Sequence, residues 1–366
     1  MSDDAALARV DRQPRSERPI SFFEFWPNWL FYTPVVAHCI ALGLRHWSPT
    51  LLTAANPGIT AGGLCGESKT SILDQIADAE ERAALARYTI LDATGTEADL
   101  SAAEAVMHAA GLAWPIVAKP DIGCNGTGVR LARGRDDLRR YLAGFPAGQR
   151  VVLQELIEHE NEAGLFYVRH PNEPHGRITS LTLKAAPFVV GDGRSTLRDL
   201  VLADARAGQL AHLYLPRLAA RLTEVPAQGV RVALVFVGNH CKGAIFRDGA
   251  GHITPALTAR VEQFARAIPD FHFGRIDVRF ASLAALGRGE GFRVIEVNGA
   301  GSEATHIWDP RTSLAQAWRS QFLHYGLAYR IGAANRARGV RPTRVRELWR
   351  LWRTQRRLMA AYPIND

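Results

Sequence analysis

Two short segments, GRIDVRF (274–280) and VIEVNG (294–299), hold the residues best suited to chemistry. Asp277 sits inside one apolar strand pattern. Glu296 and Asn298 sit in another, two residues apart, so their side chains share a face. Acidic residues inside apolar strands are costly unless paired or metal-bound. Three oxygen donors from two strands suit one or two Mg²⁺ ions, which take a few carboxylates plus phosphate oxygens rather than a full protein cage.

Further upstream, PIVAKPDIGCNGTGVRL puts Lys119 at the end of a strand, followed by a loop with Gly123, Gly126 and Gly128. Such a loop can lay backbone N–H groups over phosphates. VVLQELIEHENEA then supplies Glu155 and Glu162. The stretch GGLCGESKT (62–70) nearly reads as a phosphate-cradling P-loop, but Ser68, not glycine, precedes Lys69, and Pro57 and Gly58 break the run before it. Composition gives Lys69 a different weight. The chain has 44 Lys plus Arg, of which only Lys69, Lys119, Lys184 and Lys242 are lysine. Where arginine has replaced nearly every lysine, those that remain are candidates for sites needing a compact ammonium. No credible Ser-His-Asp or Cys-His set is found. Cys39, Cys65, Cys124 and Cys241 are scattered without zinc or disulfide spacing, which predicts reduced thiols in the cytoplasm.

These residues must be positioned by a sizeable body. The 366 residues, 47% hydrophobic and 22% charged, predict a globular α+β chain of two or three lobes. Strand patterns fall at 114–120, 151–157, 165–170, 177–190, 232–238, 274–280 and 292–299. Helical patterns fall at 69–88, 102–110, 136–142, 196–207 and 256–267. The insertion at 281–293 reads as a surface hairpin loop. Residues 1–19 are polar and read as disordered. Residues 20–65 contain an aromatic segment with two readings: a membrane-surface element or a lid over the substrate. The net charge of +8 is uneven, since residues 332–366 hold nine arginines and two acids while the rest is near +1. That basic tail is helical in period, with Val345, Leu348, Trp349, Trp352 and Met359 near one face. It predicts contact with an anionic membrane surface, together with residues 20–47, or a helix docked on the body. Nucleic acid is not expected, because the body has no second basic stripe.

The order strand, lysine, glycine loop, strand, glutamate and later D…E-x-N resembles the ATP-grasp superfamily, in particular its carboxylate–amine ligases. It resembles, among others, the D-alanine–D-alanine ligases and the ATP-grasp region of the cyanophycin synthetases. The resemblance covers 66–304, roughly two thirds of the chain. It implies an ATP-grasp fold: two α+β subdomains, about 66–153 and 154–330, clasping ATP, with the basic tail at 331–366. It implies ATP contacts from Lys69, Lys119, the glycine loop and Lys184, with Glu155 beside adenine and Glu162 beside ribose. Asp277, Glu296 and Asn298 would bind Mg²⁺, or Mn²⁺, and Arg275 would hold the oxyanion of a tetrahedral intermediate. The implied activity is ADP-forming C–N ligation through an acyl phosphate, joining a small or lipid-like carboxylate to an amine. VGNHCKGAIFRDG (237–249) departs from the family pattern, and His240 and Lys242 are candidates to aid the amine. The alternatives are an ATP-grasp phosphotransferase and a non-catalytic ATP-binding scaffold at the inner face of the membrane.

Overall fold

The computed structural model describes residues 20–236, 238 and 243–363. The expectations of disorder at 1–19 and of amine-side roles for His240 and Lys242 lie outside the described residues.

The chain is α+β, with two main antiparallel sheets. The smaller lobe carries β1 (Tyr88–Ala93), β2 (Ile116–Pro120), β3 (Arg130–Ala132) and β4 (Gln149–Glu155), in the order β1-β4-β2-β3. The larger carries β5 (Asn161–Val168), β6 (Arg177–Ala185), β9 (Ile245–Asp248), β10 (Phe273–Phe280) and β11 (Phe292–Asn298), in the order β11-β10-β5-β6-β9. A ribbon of β7 (Phe188–Val190) and β8 (Arg231–Ala233) forms a satellite with its own core.

Strand alternation explains both lobes. Ile116, Ala118, Val151 and Leu153 enter the core of the small lobe, so Val117, Lys119 and Gln154 take the other face. Leu181, Leu183, Ile276, Val278 and Phe280 enter the core of the large lobe, so Lys184, Arg275 and Asp277 take the other face. Helices α3 (Ala98–Ala109) and α4 (Arg135–Ala143) back the small sheet, and α5 (Pro255–Arg266) backs the large one.

Several expected elements change. The single helix expected at 69–88 is two short ones: α2 (Lys69–Leu73) and a turn at Ala79–Ala83. The Asp78 side chain accepts from Glu81 N and so starts a new helix where a continuous one would run. Tyr88 already belongs to β1. The run at 177–190 divides into β6 and β7, and the run at 232–238 is strand only at its start. The insertion at 281–293 contains a helix, Leu283–Gly287, capped by Ser282.

The aromatic N-terminal segment forms α1 (Asn28–Arg45), packed on α6 (Leu314–Ala337). Phe31 and Val35 are buried, whereas Trp29, Val36, Ile40 and Leu44 form an exposed stripe on the opposite side. Helix α7 (Val345–Ala361) docks, but not through its tryptophans. Leu358 and Tyr362 enter the small lobe's core, while Trp349 and Trp352 stack on each other, exposed, with ring centroids 4.8 Å apart.

Asn56 ties the segment before α2 to the large sheet. Its Oδ1 accepts from His272 N and Phe273 N, both at 2.9 Å, and its Nδ2 donates to Gly62 O and Phe273 O at 2.9 and 2.8 Å. Removing this wholly buried amide leaves backbone groups unpaired. Asn56→Ala is therefore expected to lower the unfolding free energy by about 2–4 kcal/mol in urea titration. A loss under about 0.5 kcal/mol, the scale of an ordinary surface change, would contradict this.

Candidate active site

One cleft of about 570 Å³ lies between the two sheets, and Lys69, Lys119, Lys184, Arg275, Asp277, Glu296 and Asn298 all line it. Arg275 and Asp277 alternate onto the cleft face of β10. A shift in register after Asp277 pairs it with Glu296 but pairs Val278 with Val294. This bulge sends Val294 and Val297 to the core while Glu296 and Asn298 face the cleft. It also frees the Ile295 carbonyl, which accepts from Lys119 Nζ at 3.1 Å and from Gln154 Nε2 at 3.2 Å.

Asp277 is the centre of a charge chain. Lys184 Nζ donates to Asp277 Oδ1 and to Glu162 Oε1, each at 2.9 Å. Arg275 Nε donates to Asp277 Oδ1 at 3.0 Å, and Asn298 Nδ2 donates to its Oδ2 at 3.2 Å. Burial alone would raise the Asp277 pKa, but Arg275 and Lys184 outweigh it and hold the carboxyl below its usual range. Burial works against the Lys184 ammonium in the same way, yet Asp277 and Glu162 hold its pKa above the ordinary lysine value. Gly164 stands opposite Asp277 on β5. A Cβ there would come within 2.9 Å of Arg275 Cδ and 3.0 Å of Asp277 Oδ1, so glycine leaves room for the chain.

Lys119 is different. It is only 6% exposed, and it donates to neutral acceptors, Gln154 Oε1 at 2.9 Å and the Ile295 carbonyl. Burial lowers its pKa and the Glu296 charge offsets this in part. Lys69 starts α2 and donates to Gly123 O at 2.7 Å, 3.5 Å from Glu296 Oε1. Ser68 caps that helix, accepting from Ser71 N, and donates to Asp121 Oδ2 at 2.7 Å. Asp121 also accepts from Thr70 N and Thr70 Oγ1, which pins α2 to the end of β2.

The glycine loop is the β2–β3 hairpin connection, with Asn125, Gly126 and Gly128 at positive φ. Glycine tolerates this at Gly126 and Gly128 without a Cβ penalty. Glu155 and Glu162 line the cleft, but their carboxylates are occupied. Glu155 accepts from Arg87 N, Arg87 Nε and an Arg293 NH2 nitrogen, and Glu162 is held by Lys184.

Sequence reasoning missed Gln154, Asp121, Gly164 and Glu303. The placing of the aromatic segment was left open, and Trp26, Phe31 and Tyr32 line the cleft. The glycines at 62–63 also have a specific task. Ala300 N and Gly301 N donate to the carbonyls of Gly62 and Gly63, and a Cβ on Gly63 would lie 2.5 Å from Gly299 Cα.

No protein-family model matches the chain, and no curated protein matches it. Among solved structures the chain is similar to D-alanine–D-alanine ligase from Bacillus anthracis, at 16% identity and a TM-score of 0.40, covering 77% of this chain and 71% of that one. It is similar to the VanG D-Ala:D-Ser ligase from Enterococcus faecalis, at 13% identity and a TM-score of 0.39, covering 74% and 64%. It is also similar to a bifunctional glutathione synthetase from Pasteurella multocida, at 16% identity and a TM-score of 0.36, covering 72% of this chain and 35% of that one. The chain thus spans about a third of that synthetase's length.

The Asp277 chain makes a pH prediction. A carboxyl whose pKa is lowered on folding adds stability that is present above its unfolded value and lost as pH falls through the folded one. Asp277→Asn should therefore destabilise the protein by about 3 kcal/mol near neutrality, because it leaves two buried cations with one counter-ion fewer. The gap from wild type should narrow below pH 3.8, the ordinary aspartate value. Urea unfolding across pH 2.5–7 checks this, and a gap that is constant with pH would refute it.

Proposed function

We propose that the chain is an ATP-dependent, ADP-forming ligase that joins a carboxylate to an amine through an acyl phosphate. The observation that carries the reading is Lys119. An ammonium buried on neutral acceptors, with Lys69 and Lys184 in the same cleft, is suited to a polyphosphate. The resemblance of the sequence to the ATP-grasp ligases supports the same assignment.

In this reading Lys69 and Lys119 bind nucleotide phosphates, and the 123–128 loop covers them with its N–H groups. Lys184 takes up phosphate charge in exchange for its bond to Glu162. Arg275 lies where it can hold the oxyanion once an amine has attacked the acyl carbon, a charge-stabilising role that preorganised donors perform best. No protein nucleophile is required.

The residues fit a hard divalent cation. Asp277 and Glu296 face each other across one rung of β10 and β11, with Asn298 beside them. Among the described residues no group of three His, Cys, Asp or Glu gathers into a full cage, as suits an ion that also takes phosphate oxygens. A Mg²⁺ or Mn²⁺ ion held by Asp277, Glu296 and Asn298 would neutralise charge on the phosphates.

The protein given ATP, Mg²⁺ and pools of carboxylates and amines should release ADP and phosphate and yield an amide, read by mass. A phosphorylated acceptor would favour the phosphotransferase instead. Lys69→Ala should raise the ATP concentration needed for half-maximal turnover by at least about tenfold, worth 1.4 kcal/mol. Glu296→Ala should lower turnover by about 10²-fold, the scale of a lost charge-stabilising group. Full turnover by Glu296→Ala would remove it from the metal set.

The exposed stripe of α1 and the stacked tryptophans of α7 support a second proposal, peripheral docking on an anionic membrane at its cytoplasmic face. No described helix is long and apolar enough to cross a membrane. Replacing Trp349 and Trp352 together by serine should weaken binding to phosphatidylserine vesicles at least fivefold in co-sedimentation. Equal binding by the variant would exclude α7 as the anchor.

A further inference from the structure

The cleft does not end at the charge chain. The same cleft is also lined by Trp26, Phe31, Tyr32 and Trp308, and by Glu303, whose carbonyl accepts from Arg275. Charge alternates along this path. Lys184 is followed by Asp277, then by Arg275, whose second contact is an NH1 bond to the Glu303 carbonyl at 3.1 Å. Then comes the Glu303 carboxylate.

That carboxylate is held by neutral donors. Tyr32 OH donates to Glu303 Oε1 at 2.7 Å, and Gln321 Nε2 donates to the same oxygen at 2.9 Å. Among the described residues no salt bridge reaches it. An acidic group fixed by neutral donors, in a cleft also lined by aromatic side chains, is the counterpart of a cation. The opposite end, with three lysines and Arg275, would repel a cation and attract a carboxylate or a phosphate.

We infer that Glu303 and its aromatic walls form the acceptor subsite, taking a primary amine as its ammonium and packing its carbon chain on Trp26, Phe31 and Trp308. This rests on the ligase reading and adds the amine's place and charge. The carboxylate substrate then lies on the Arg275 side; the ammonium gives one proton to the Glu303 carboxylate, and the neutral amine so formed approaches the acyl carbon from that side.

Burial raises the Glu303 pKa, and Tyr32, Gln321, Arg275 and Trp308 offset this in part. Titratable or charged groups on the elements around Glu303 include Arg275 from β10, Tyr32 from α1, Tyr325 and His324 from α6, His306 beside His324, and Glu24, which lines the cleft and is paired with Arg206. Tyr325 is pushed far above its usual range, and His324 is held neutral with a pKa of about 3. Burial thus biases Glu303 toward its neutral form relative to an ordinary glutamate.

The test uses the full chain, with n-butylammonium and its uncharged isostere 1-butanol as probes. Binding is read by tryptophan fluorescence and thermal shift, with MgATP titrated separately. Butylammonium should bind saturably and butanol should not. Glu303→Gln, which keeps an oxygen for Tyr32 and Gln321, should weaken butylammonium at least tenfold and leave MgATP binding unchanged. Butylammonium affinity should fall on acidification. Tyr32→Phe, which removes a donor to the charged form, should move that fall to higher pH, whereas a merely structural loss would lower affinity without moving it. Equal binding of butanol, no binding of butylammonium, or an unaltered Glu303→Gln would overturn the inference. Absent MgATP binding in the wild type would instead count against the ligase reading, and a Glu303-dependent ammonium site would stand without it.

Discussion

Asp277 is a carboxylate that is 3% exposed on a strand flanked by apolar packing, and the arrangement around it follows from keeping it charged. Neutralising a buried charge takes cations at close range and donors for the remaining lone pairs. Lys184 arrives from β6, two strands away, which is possible because Gly164 on the intervening strand has no side chain to block it. Arg275 arrives from the same strand, two residues back. Asn298 arrives across the β10–β11 rung. Three strands and one glycine are therefore fixed in register by one charge, and a slip of one residue would send every member to the hydrophobic side.

That constraint also sets the lysines of the cleft apart by what they contact. Lys184 is committed to carboxylates and Lys119 to neutral oxygens, so the lysines are not equivalent although both are buried. Lys119 carries the charge that a ligand can most readily answer. Arg275 spans the division, with its Nε on Asp277 and an NH1 bond to the loop that carries Glu303. A change in what Arg275 holds is felt on both sides.

Much of this was legible in the sequence, for a physical reason. Strand alternation places Glu296 and Asn298 on one face, and the scarcity of lysine marked Lys69, Lys119 and Lys184, which meet in one cleft with Asp277. The assignment of α+β lobes followed from the same periodicities. What could not be read depends on long-range packing. The bulge at Ile295 appears only when Val294 has a core to enter. The pinning of α2 by Asp121 joins residues some fifty positions apart. Glu303 sits in a loop of small residues, and its environment is made by Tyr32, far away in the chain. In α7 the tryptophans drew the eye, but the helix docks through Leu358 and Tyr362, because that face meets an apolar partner in the small lobe.

The last helix touches both sides of the cleft. Leu358 and Tyr362 belong to the small lobe, and Tyr362 OH donates to Ile122 O at the root of the glycine loop. Earlier in the same helix, Gln355 accepts from Gly66 N at 2.5 Å, in a loop whose glycines are bound to the 299–301 turn of the large lobe. The helix thus meets the small lobe through its last turn and the 62–66 loop through Leu348 and Gln355. One helix therefore ties the root of the glycine loop to the segment that holds the 299–301 turn.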